Sequence, residues 1–331
     1  MNYYLGVDVG GTNIKCGITN ECGEILCKQS IKTEAETLTG QEIISNINQL
    51  ITDICAEYQQ KEESFSLADV KAIGVGSPGT VDNETGALIF AGNLYAENWN
   101  YRELIKAQHQ VPVYVVNDAN AAALAESRLG VAKGTQSSIT ITLGTGVGGG
   151  VIIDDRVFSG FNGAGSELGH AVIVLDGIPC TCGRKGCFER YASATALIQQ
   201  TKQAMQDNPN SSMHQWVKNN NGAVSGRTAF EAMKAGDKAG REVVEQYVHY
   251  LAEGIANFIN CFMPEMIIIG GGVSNEGEYF LRMIEQKALA NSFLFEGVKK
   301  TRFAIAGLGN DAGISGAALY AKDCLSDGVQ G

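Results

Sequence analysis

The sequence has 331 residues, of which 44% are hydrophobic and 18% charged, and its formal net charge is −11 at pH 7. This length allows two ordinary domains, each with its own core. The negative charge and the absence of basic runs longer than two residues argue against a nucleic-acid partner. No apolar stretch reaches the ~18 residues of a membrane span, and the N-terminus lacks the features of a signal peptide. We therefore expect a globular, cytoplasmic protein that binds neither nucleic acid nor membranes.

Short strands alternate with helices along the chain, which predicts the α/β class. The predicted strands are β-rich or buried apolar runs at residues 3–9, 14–19, 70–76, 111–116, 138–143, 151–154, 266–269 and 302–306. The predicted helices span residues 42–58, 120–128, 193–204, 229–262 (with a break near Gly236), 279–290 and 314–324. A polar patch at 208–221 predicts a surface loop, and the middle of the chain up to about residue 190 is irregular.

The densest glycine run matches the G-x-G-x-x-G pattern of a dinucleotide-binding turn at Gly144, Gly146 and Gly149, and the acidic Glu167 follows downstream. That motif requires a helix directly after the glycines, because the helix N-terminus holds the pyrophosphate. Here residues 151–153 are three consecutive β-branched residues, which predict a strand. We therefore reject a dehydrogenase motif.

The order strand, glycine turn, strand occurs twice, at residues 3–19 and 138–154, roughly one domain length apart. This repetition predicts two similar domains that face one ligand. Without Cβ atoms, successive backbone N–H groups can form an anion nest, and a Thr at each tip adds a hydroxyl donor. A single hairpin of this kind could be no more than a tight turn, but two favour phosphate binding. The residues of these predicted phosphate-binding tips are Gly10, Gly11, Thr12, Asn13, Gly144, Thr145 and Gly146.

Two charged residues flank the first tip. Asp8 lies inside an apolar strand, where an unpaired carboxylate is costly. It could orient a hydrated Mg²⁺ beside a polyphosphate, or it could stabilise the turn. Lys15 could be a counter-charge for phosphate or a solvent-exposed strand residue. We include both in the predicted ATP site.

Asn117 and Asp118 lie where a buried strand ends and a helix begins. Ligands of open α/β sheets bind outside the carboxyl ends of the strands. Asp118 could be a plain helix N-cap. As a general base, it would accept the proton of a substrate hydroxyl while that oxygen attacks the γ-phosphorus. Asn117 could then hold neighbouring hydroxyls by hydrogen bonds.

Four metal-ligating residue types cluster in the irregular middle of the chain. The sequence has nine cysteines and no secretion signal, which favours reduced thiols. His170, Cys180, Cys182 and Cys187 offer one imidazole and three thiols, a closed set typical of structural Zn²⁺. The alternative is four unrelated buried residues.

Two glutamates, Glu167 and Glu189, flank this cluster. A rigid metal loop would immobilise their backbones, and fixed carboxylates suit bidentate binding of vicinal sugar hydroxyls. The alternative is that both are ordinary surface residues.

Seven motifs occur in a specific order: DVGGTNIK, GVGSPGTVD, VVNDANAAALAE, TLGTGVGGG, SELGH, CTCGRKGCFE and IIIGGGVS. Together they resemble the ROK family (repressors, open reading frames, kinases), and its bacterial glucokinases in particular, over nearly the whole chain. The resemblance implies the two-domain actin-like ATPase fold, which is ribonuclease H-like and is shared by sugar kinases, Hsp70 and actin, with a cleft between the domains. We expect a small N-terminal α/β domain, residues 1–117 joined by the C-terminal helix at 312–331. The remainder, 118–311, would form a larger α/β domain with the zinc-binding loop.

The resemblance also implies an activity, the ATP-dependent phosphorylation of glucose at its 6-hydroxyl, with transient Mg²⁺ and Asp118 as the base. Adenosine would lie near residues 270–273, including Gly271 and Gly272. Zn²⁺ would be bound by His170 and the three clustered cysteines, and the protein would be a dimer or tetramer. The implied sugar contacts are Gly79, Asn93, Asn117, Asp118, Glu167, His170 and Glu189.

The sequence departs from the family pattern at two places near the expected sugar pocket. Ser166 stands where the family usually has glycine, and the segment 94–99 has more residues between Leu and Trp than usual. Kinases for N-acetylmannosamine, allose or fructose are therefore alternatives to a glucokinase. A repressor of this family would need a DNA-binding extension before the first hairpin, for which we see no room. A filament protein or chaperone ATPase would not require the Cys/His cluster with its flanking glutamates.

Overall fold

The structure, a computed structural model, describes residues 2–331, with the backbone alone at Asn93. In chain order, the strands are β1 (Tyr3–Val9), β2 (Asn13–Thr19), β3 (Ile25–Lys32), β4 (Val70–Ser77), β5 (Thr80–Asp82), β6 (Ala87–Ala91), β7 (Ala96–Asn100), β8 (Val113–Asn117), β9 (Ser138–Leu143), β10 (Val147–Ile153), β11 (Arg156–Val157), β12 (Met266–Gly270) and β13 (Arg302–Ile305). The α-helices are α1 (Gly40–Lys61), α2 (Tyr101–His109), α3 (Asp118–Arg128), α4 (Glu189–Ala192), α5 (Ala194–Asp207), α6 (Met213–Asn219), α7 (Thr228–Lys234), α8 (Lys238–Phe262), α9 (Glu278–Asn291) and α10 (Ala312–Ser326).

Contacts among residues divide the chain into two compact units. The first contains the chain up to residue 137, together with 150–166 and 307–331. The second contains residues 138–149 and 167–306. This grouping places α3 in the first unit, beyond the predicted boundary at residue 117, because α3 packs against α10.

The first unit is built on a five-stranded sheet in the order β3-β2-β1-β4-β8. β1 and β2 form the predicted antiparallel hairpin, whereas β1, β4 and β8 run parallel. Parallel strands bring their carboxyl ends to the same edge of a sheet. The first glycine turn, Gly79 and Asp118 therefore follow the carboxyl ends of neighbouring strands.

The C-terminal helix α10 lies against this sheet and comes so close to two positions, Gly6 and Gly74, that neither has room for a side chain. A Cβ atom added to Gly6 of β1 would lie 1.9 Å from the Ile314 carbonyl oxygen, and one on Gly74 of β4 would lie 1.8 Å from that of Ala317. Gly316 of α10 approaches the Ala121 carbonyl of α3 in the same way, at 1.7 Å from its added Cβ. Glycine is needed at these positions because backbone meets backbone directly.

A small antiparallel sheet, β5-β6-β7, follows β4 in the first unit. The Arg102 guanidinium of α2 donates to the carbonyl oxygens of Asn83, Glu84 and Val113, and so joins the β5–β6 turn to β8. Neither this sheet nor α2 was predicted. The turn between β5 and β6, where Gly86 is in a left-handed conformation (φ 70°), divides this segment into short strands. Neither strand is long enough to show a clear apolar pattern in the sequence.

In the second unit, β12 lies between β9 and β13 and pairs in parallel with both. β10 continues this sheet beyond β9, and the boundary between the units falls within β10, after residue 149. The longest helix, α8, buries an apolar face that includes Leu251 and Ile255. Gly236, with φ 87°, separates α7 from α8 and confirms the predicted break.

Two predictions about local structure were wrong. The patch 208–221 is not all loop, because it contains α6, whose first residue Met213 is completely buried. The glycine run is not all turn either, because β10 begins at Val147 and includes the last three glycines. The other predicted strands and helices are present with ends shifted by a few residues, and the α/β class is confirmed. Across residues 2–331, no helix is both long and apolar enough to span a membrane.

We predict that Gly74→Ala lowers the free energy of unfolding by roughly 3 kcal/mol, at the upper end of overpacking costs, because the obstacle is the backbone of α10. Gly76→Ala, on the same strand, is the matched control, since its added Cβ would be 3.5 Å from the nearest heavy atom. The control should change stability by less than about 1 kcal/mol. Urea denaturation measures both variants, and equal losses would contradict the close approach of α10.

Candidate active site

The first glycine hairpin has an exposed tip, and hydrogen bonds from the neighbouring chain hold its backbone in place. The Gly10 N–H donates to the Asn13 carbonyl at 3.0 Å and closes the turn. From the end of β3, Thr33 donates its hydroxyl to the Gly10 carbonyl (2.5 Å) and its N–H to the Thr12 carbonyl (3.0 Å). Gly11, Thr12 and Asn13 remain exposed. This arrangement suits a fixed phosphate-binding turn.

Asp8 and Lys15 lie opposite each other on β1 and β2, and both are partly buried. The Lys15 Nζ is 3.2 Å from Asp8 Oδ2 and also donates to the Asn310 carbonyl at 3.2 Å. Burial raises the pKa of the Asp8 carboxyl, and the charge of Lys15 opposes this shift. Lys15 is therefore not a freely solvated strand residue, and Asp8 is paired rather than isolated.

Asn117, and not Asp118, caps helix α3. The Asn117 Oδ1 accepts the N–H groups of Ala119 (2.9 Å) and Asn120 (3.2 Å), and its Nδ2 donates to the Gly79 carbonyl at 3.1 Å. Asp118 is the first helical residue and is partly buried, and its Oδ1 lies 2.8 Å from the Ala119 nitrogen.

The side chain of Asn117 links two of the predicted sugar-binding positions, its own and Gly79, by a hydrogen bond. Its cap leaves Asp118 one position beyond the end of β8, as an acceptor at the start of a helix. Negative charge is favoured there by the free N–H groups and the helix dipole. The Asn93 side chain lies outside the described part of the chain.

The second hairpin contacts Glu189 directly. The Gly144 N–H donates to the Gly146 carbonyl at 3.0 Å, so the turn covers the three predicted residues. The Val147 N–H donates to Glu189 Oε2 at 3.0 Å, and a Cβ on Gly146 would lie 2.2 Å from the same oxygen. Glycine is therefore required at 146 for the approach of this carboxylate.

The start of α5 and the loop after β12 also hold the second hairpin. The Ala194 N–H donates to the Gly144 carbonyl at 2.9 Å, and the Thr195 hydroxyl donates to the Thr145 carbonyl at 2.8 Å. Gly271 (φ 83°) packs on the backbone of Leu143, where a Cβ would come within 2.5 Å of the carbonyl oxygen. Within the second unit, the predicted nucleotide residues at 144–146 and 271–272 therefore lie near each other.

The four predicted metal ligands come together. The ligand atoms of His170, Cys180, Cys182 and Cys187 all lie within 4.8 Å of one another. Cys182 Sγ is 3.6 Å from Cys187 Sγ, and Cys180 Sγ is 3.6 Å from His170 Nδ1. A tetrahedral ion with bonds of about 2.3 Å to sulfur would place two sulfurs about 3.8 Å apart. The residues present therefore fit a tetrahedral metal ion.

The thiols of this cluster repel one another when deprotonated. Burial, followed by the neighbouring thiols Cys182 and Cys180, raises the pKa of Cys187 to about 12. The Arg184 N–H lowers the pKa of Cys182. Deprotonating several thiols in so small a volume is unfavourable without a cation. A divalent ion would remove that cost, which is a second indication that the set suits a metal.

Glu167 lies beside this cluster. Loss of hydration raises the pKa of its carboxyl although the residue as a whole is exposed; nearby His170 lowers the pKa and Glu189 raises it. The structure thus places both predicted sugar-binding glutamates and His170 in one neighbourhood of the second unit.

Ser166, the departure from the family pattern, adopts a left-handed conformation with φ 64°. Its hydroxyl donates to the Phe158 carbonyl and closes the loop 158–166, which Gly165 also closes by donating its N–H to Ser159 at 2.7 Å. A non-glycine residue in this region of φ is strained by about 1 kcal/mol. The hydrogen bond offsets that strain and fixes the backbone immediately before Glu167.

One part of the site was missed from the sequence. The start of α10 lies beside Asp8, since Gly313 would place a Cβ 2.5 Å from the Asp8 carboxyl carbon. The signal was present as GLGNDAG, another glycine-rich stretch, which leads into the C-terminal helix.

Comparisons with known proteins identify the fold and the family of the chain. The chain is similar to a ROK family glucokinase from Streptomyces griseus in complex with glucose and AMPPNP, at 33% identity, a TM-score of 0.79, and 97% and 100% coverage of the two chains. It is also similar to a ROK hexokinase from Thermus thermophilus, at 30% identity, a TM-score of 0.82, and 98% and 99% coverage. The fold is therefore the two-domain actin-like ATPase fold of the sugar kinases.

The sequence relatives define the family more narrowly. A glucokinase from Halalkalibacterium halodurans is 35% identical over 97% of this chain and 95% of its own length. The family model described as "ROK family" matches residues 4–324. The chain belongs to the ROK family.

We predict that Ser166→Ala is less stable than Ser166→Gly by about 1 kcal/mol, because alanine keeps the left-handed strain and loses the hydroxyl, whereas glycine is unstrained. Equilibrium urea denaturation of the two purified variants measures the difference. A Gly variant less stable than the Ala variant would show that residue 166 is not held in the left-handed region.

Proposed function

We propose that this protein is an ATP-dependent glucokinase, which transfers the γ-phosphoryl group of ATP to the 6-hydroxyl of glucose. The observation that carries the proposal is the match over nearly the full chain to relatives named glucokinase, one of them solved with glucose and AMPPNP. The predicted phosphate and sugar residues support it, since each unit groups several of them around a fixed glycine hairpin.

Asp118 is the proposed general base. Its carboxylate accepts the proton of the 6-hydroxyl while the O6–Pγ bond forms and the bond from Pγ to the β,γ-bridging oxygen breaks, so that ADP leaves. Its position at the start of α3 supports this role. The Asn117 cap and the Asn117–Gly79 bond hold that end of the helix in place.

The phosphates of ATP are proposed to bind the two hairpin tips through backbone N–H groups. Asp8 is proposed to orient the hydrated Mg²⁺ that accompanies ATP, and Lys15 to add positive charge beside the phosphates. The 3.2 Å pair between Asp8 and Lys15 supports both roles, because each side chain limits the freedom of the other. Adenosine is proposed to lie at Gly271 and Gly272.

The hexose is proposed to bind to Glu167, Glu189 and His170 in the second unit, and to Gly79, Asn93 and Asn117 in the first. Carboxylates accept hydrogen bonds from sugar hydroxyls most strongly when they are partly dehydrated. The raised pKa of Glu167 reflects such dehydration.

Zinc is the proposed metal of the cluster formed by His170, Cys180, Cys182 and Cys187. One imidazole and three thiolates make a closed set that leaves no position for a reactive water, so the ion would be structural. Binding through His170 Nδ1, the ring nitrogen 3.6 Å from Cys180, would leave Nε2 for a sugar hydroxyl. The cytoplasmic location and the homo-oligomeric state stay predictions.

The test is a coupled ATP assay across glucose, fructose, allose and N-acetylmannosamine. We predict phosphorylation of glucose with the highest kcat/KM. Asp118→Asn should lower kcat by about 10²–10⁴-fold and leave the dissociation constant of glucose nearly unchanged, because a base acts on the chemical step.

The matched control for this test is Asp207→Asn, which removes an exposed carboxylate at the end of α5. It should retain wild-type turnover. No phosphorylation of any hexose by the wild type would refute the proposal, and retained turnover in Asp118→Asn would remove Asp118 from the role of base.

We predict that the protein purified without chelator contains about one zinc ion per chain, as a closed set of four ligands requires. Metal analysis by mass spectrometry measures this content. Cys187→Ser should lose most of the metal, whereas Cys261→Ser, an exposed cysteine of α8 in the same unit, should keep it. Equal zinc content in the two variants would exclude the cluster as the metal site.

A further inference from the structure

Glu126 carries a buried carboxylate near the end of α3, with 1% of its surface exposed. Its Oε1 accepts the Leu308 N–H at 2.8 Å, and its Oε2 accepts the Val131 N–H at 3.2 Å. Both partners are neutral backbone groups. Burying a carboxylate is costly even when it is hydrogen-bonded, and an apolar side chain would avoid that cost. Its presence therefore requires an explanation beyond packing.

The bond to Leu308 attaches Glu126 to the segment 308–313, which precedes and begins α10. On the other side of this segment, the Asn310 carbonyl accepts from Lys15 Nζ at 3.2 Å. Lys28 Nζ contacts both carboxylate oxygens of Asp311, at 2.7 and 2.8 Å. The segment 308–313 is thus held between α3 and the hairpin of the predicted ATP site.

The same segment contacts Asp8. Because Gly313 has no side chain, the Asp8 carboxyl carbon lies only 2.5 Å from where a Cβ would be. Asp8 in turn pairs with Lys15. The segment 308–313 therefore contacts both charged residues proposed to bind MgATP, although none of its own residues was predicted to do so.

We propose that Glu126 is a positioning residue for the phosphoryl donor: its carboxylate fixes the segment 308–313, and through it Lys15 and Asp8, in the arrangement that binds MgATP. This inference rests on the proposed function. Charged groups stabilise a transferring phosphoryl group efficiently only when their positions are fixed in advance.

The effect should be selective for the nucleotide. Three predicted sugar contacts of the first unit, Gly79, Asn117 and Asp118, lie at the opposite end of α3, where Asn117 donates to the Gly79 carbonyl. That bond uses no atom of the segment 308–313. Loosening the segment should therefore weaken MgATP binding and leave sugar binding unchanged, which a general loss of stability would not do.

The test is Glu126→Gln in the full chain. Glutamine has the same shape, but its NH₂ group must face one of the two N–H donors, so one hydrogen bond is lost. We expect the KM for MgATP to rise about tenfold, as loss of one charge-assisted bond implies, with the KM for glucose within about twofold. Calorimetric titration with MgATP in the absence of sugar should show the same weakening.

Glu57→Gln is the control, since it neutralises a carboxylate of α1 in the same unit that accepts from Gln29 at 2.6 Å and does not contact the segment. It should change neither KM. If Glu126→Gln does not fold, Lys28→Met replaces it, because this exposed residue holds the same segment through Asp311. It should raise the MgATP KM about twofold, in line with a weak surface pair, without changing the glucose KM.

Equal changes in both KM values, or no change for MgATP in a folded variant, would overturn the inference. For Lys28→Met, an unchanged MgATP KM would do the same. A wild type that phosphorylates no hexose would instead overturn the proposed function, and the calorimetric comparison would still decide whether Glu126 supports nucleotide binding.

Discussion

The first unit depends on the direct contact of helix α10 with the strands β1 and β4. At Gly6 and Gly74, a single methyl group would collide with the carbonyl oxygens of Ile314 and Ala317. This contact brings the first turn of α10 so close that Gly313 meets the carboxyl group of Asp8. The geometry at the start of the chain is therefore determined by residues about three hundred positions later. A change in the position of α10 on the sheet would displace Asp8 and the β1–β2 hairpin together.

Several residues predicted to contact substrate also hold the site together. Asn117 caps α3 and donates to Gly79, so the same amide fixes the proposed base and the loop after β4. Glu189 accepts from the Val147 N–H and so joins the chain just after the Cys/His cluster to the second hairpin. When one side chain both contacts a ligand and orders the binding site, its removal affects affinity twice. Substitution effects at these positions should therefore not be read as the energy of one sugar contact.

The sequence could predict what depends on local periodicity and on familiar motifs. The β1–β2 hairpin, the break at Gly236 and the four clustered ligands were all recognisable in this way. The features that the sequence could not predict depend on contacts between residues that are far apart in the chain. Of the five glycines in the second run, Gly149 is explained by packing on Leu168 and Gly150 by packing on α3, where added Cβ atoms would lie 2.7 and 2.4 Å from side-chain atoms. Counting such glycines as ligand contacts overstates a motif, because close packing selects the same residue.

The two glutamates beside the Cys/His cluster are held by different constraints. Glu189 is bonded to the hairpin, independently of any metal. Glu167 is preceded by the strained Ser166, whose hydroxyl closes its loop, and is followed three residues later by His170 of the Cys/His cluster. A metal ion at the cluster would therefore restrict Glu167 more than Glu189. Strain at Ser166 persists only while its surroundings enforce it. Loss of a bound ion would therefore allow the backbone at Glu167 to relax. Glu189 would keep its place at the second hairpin.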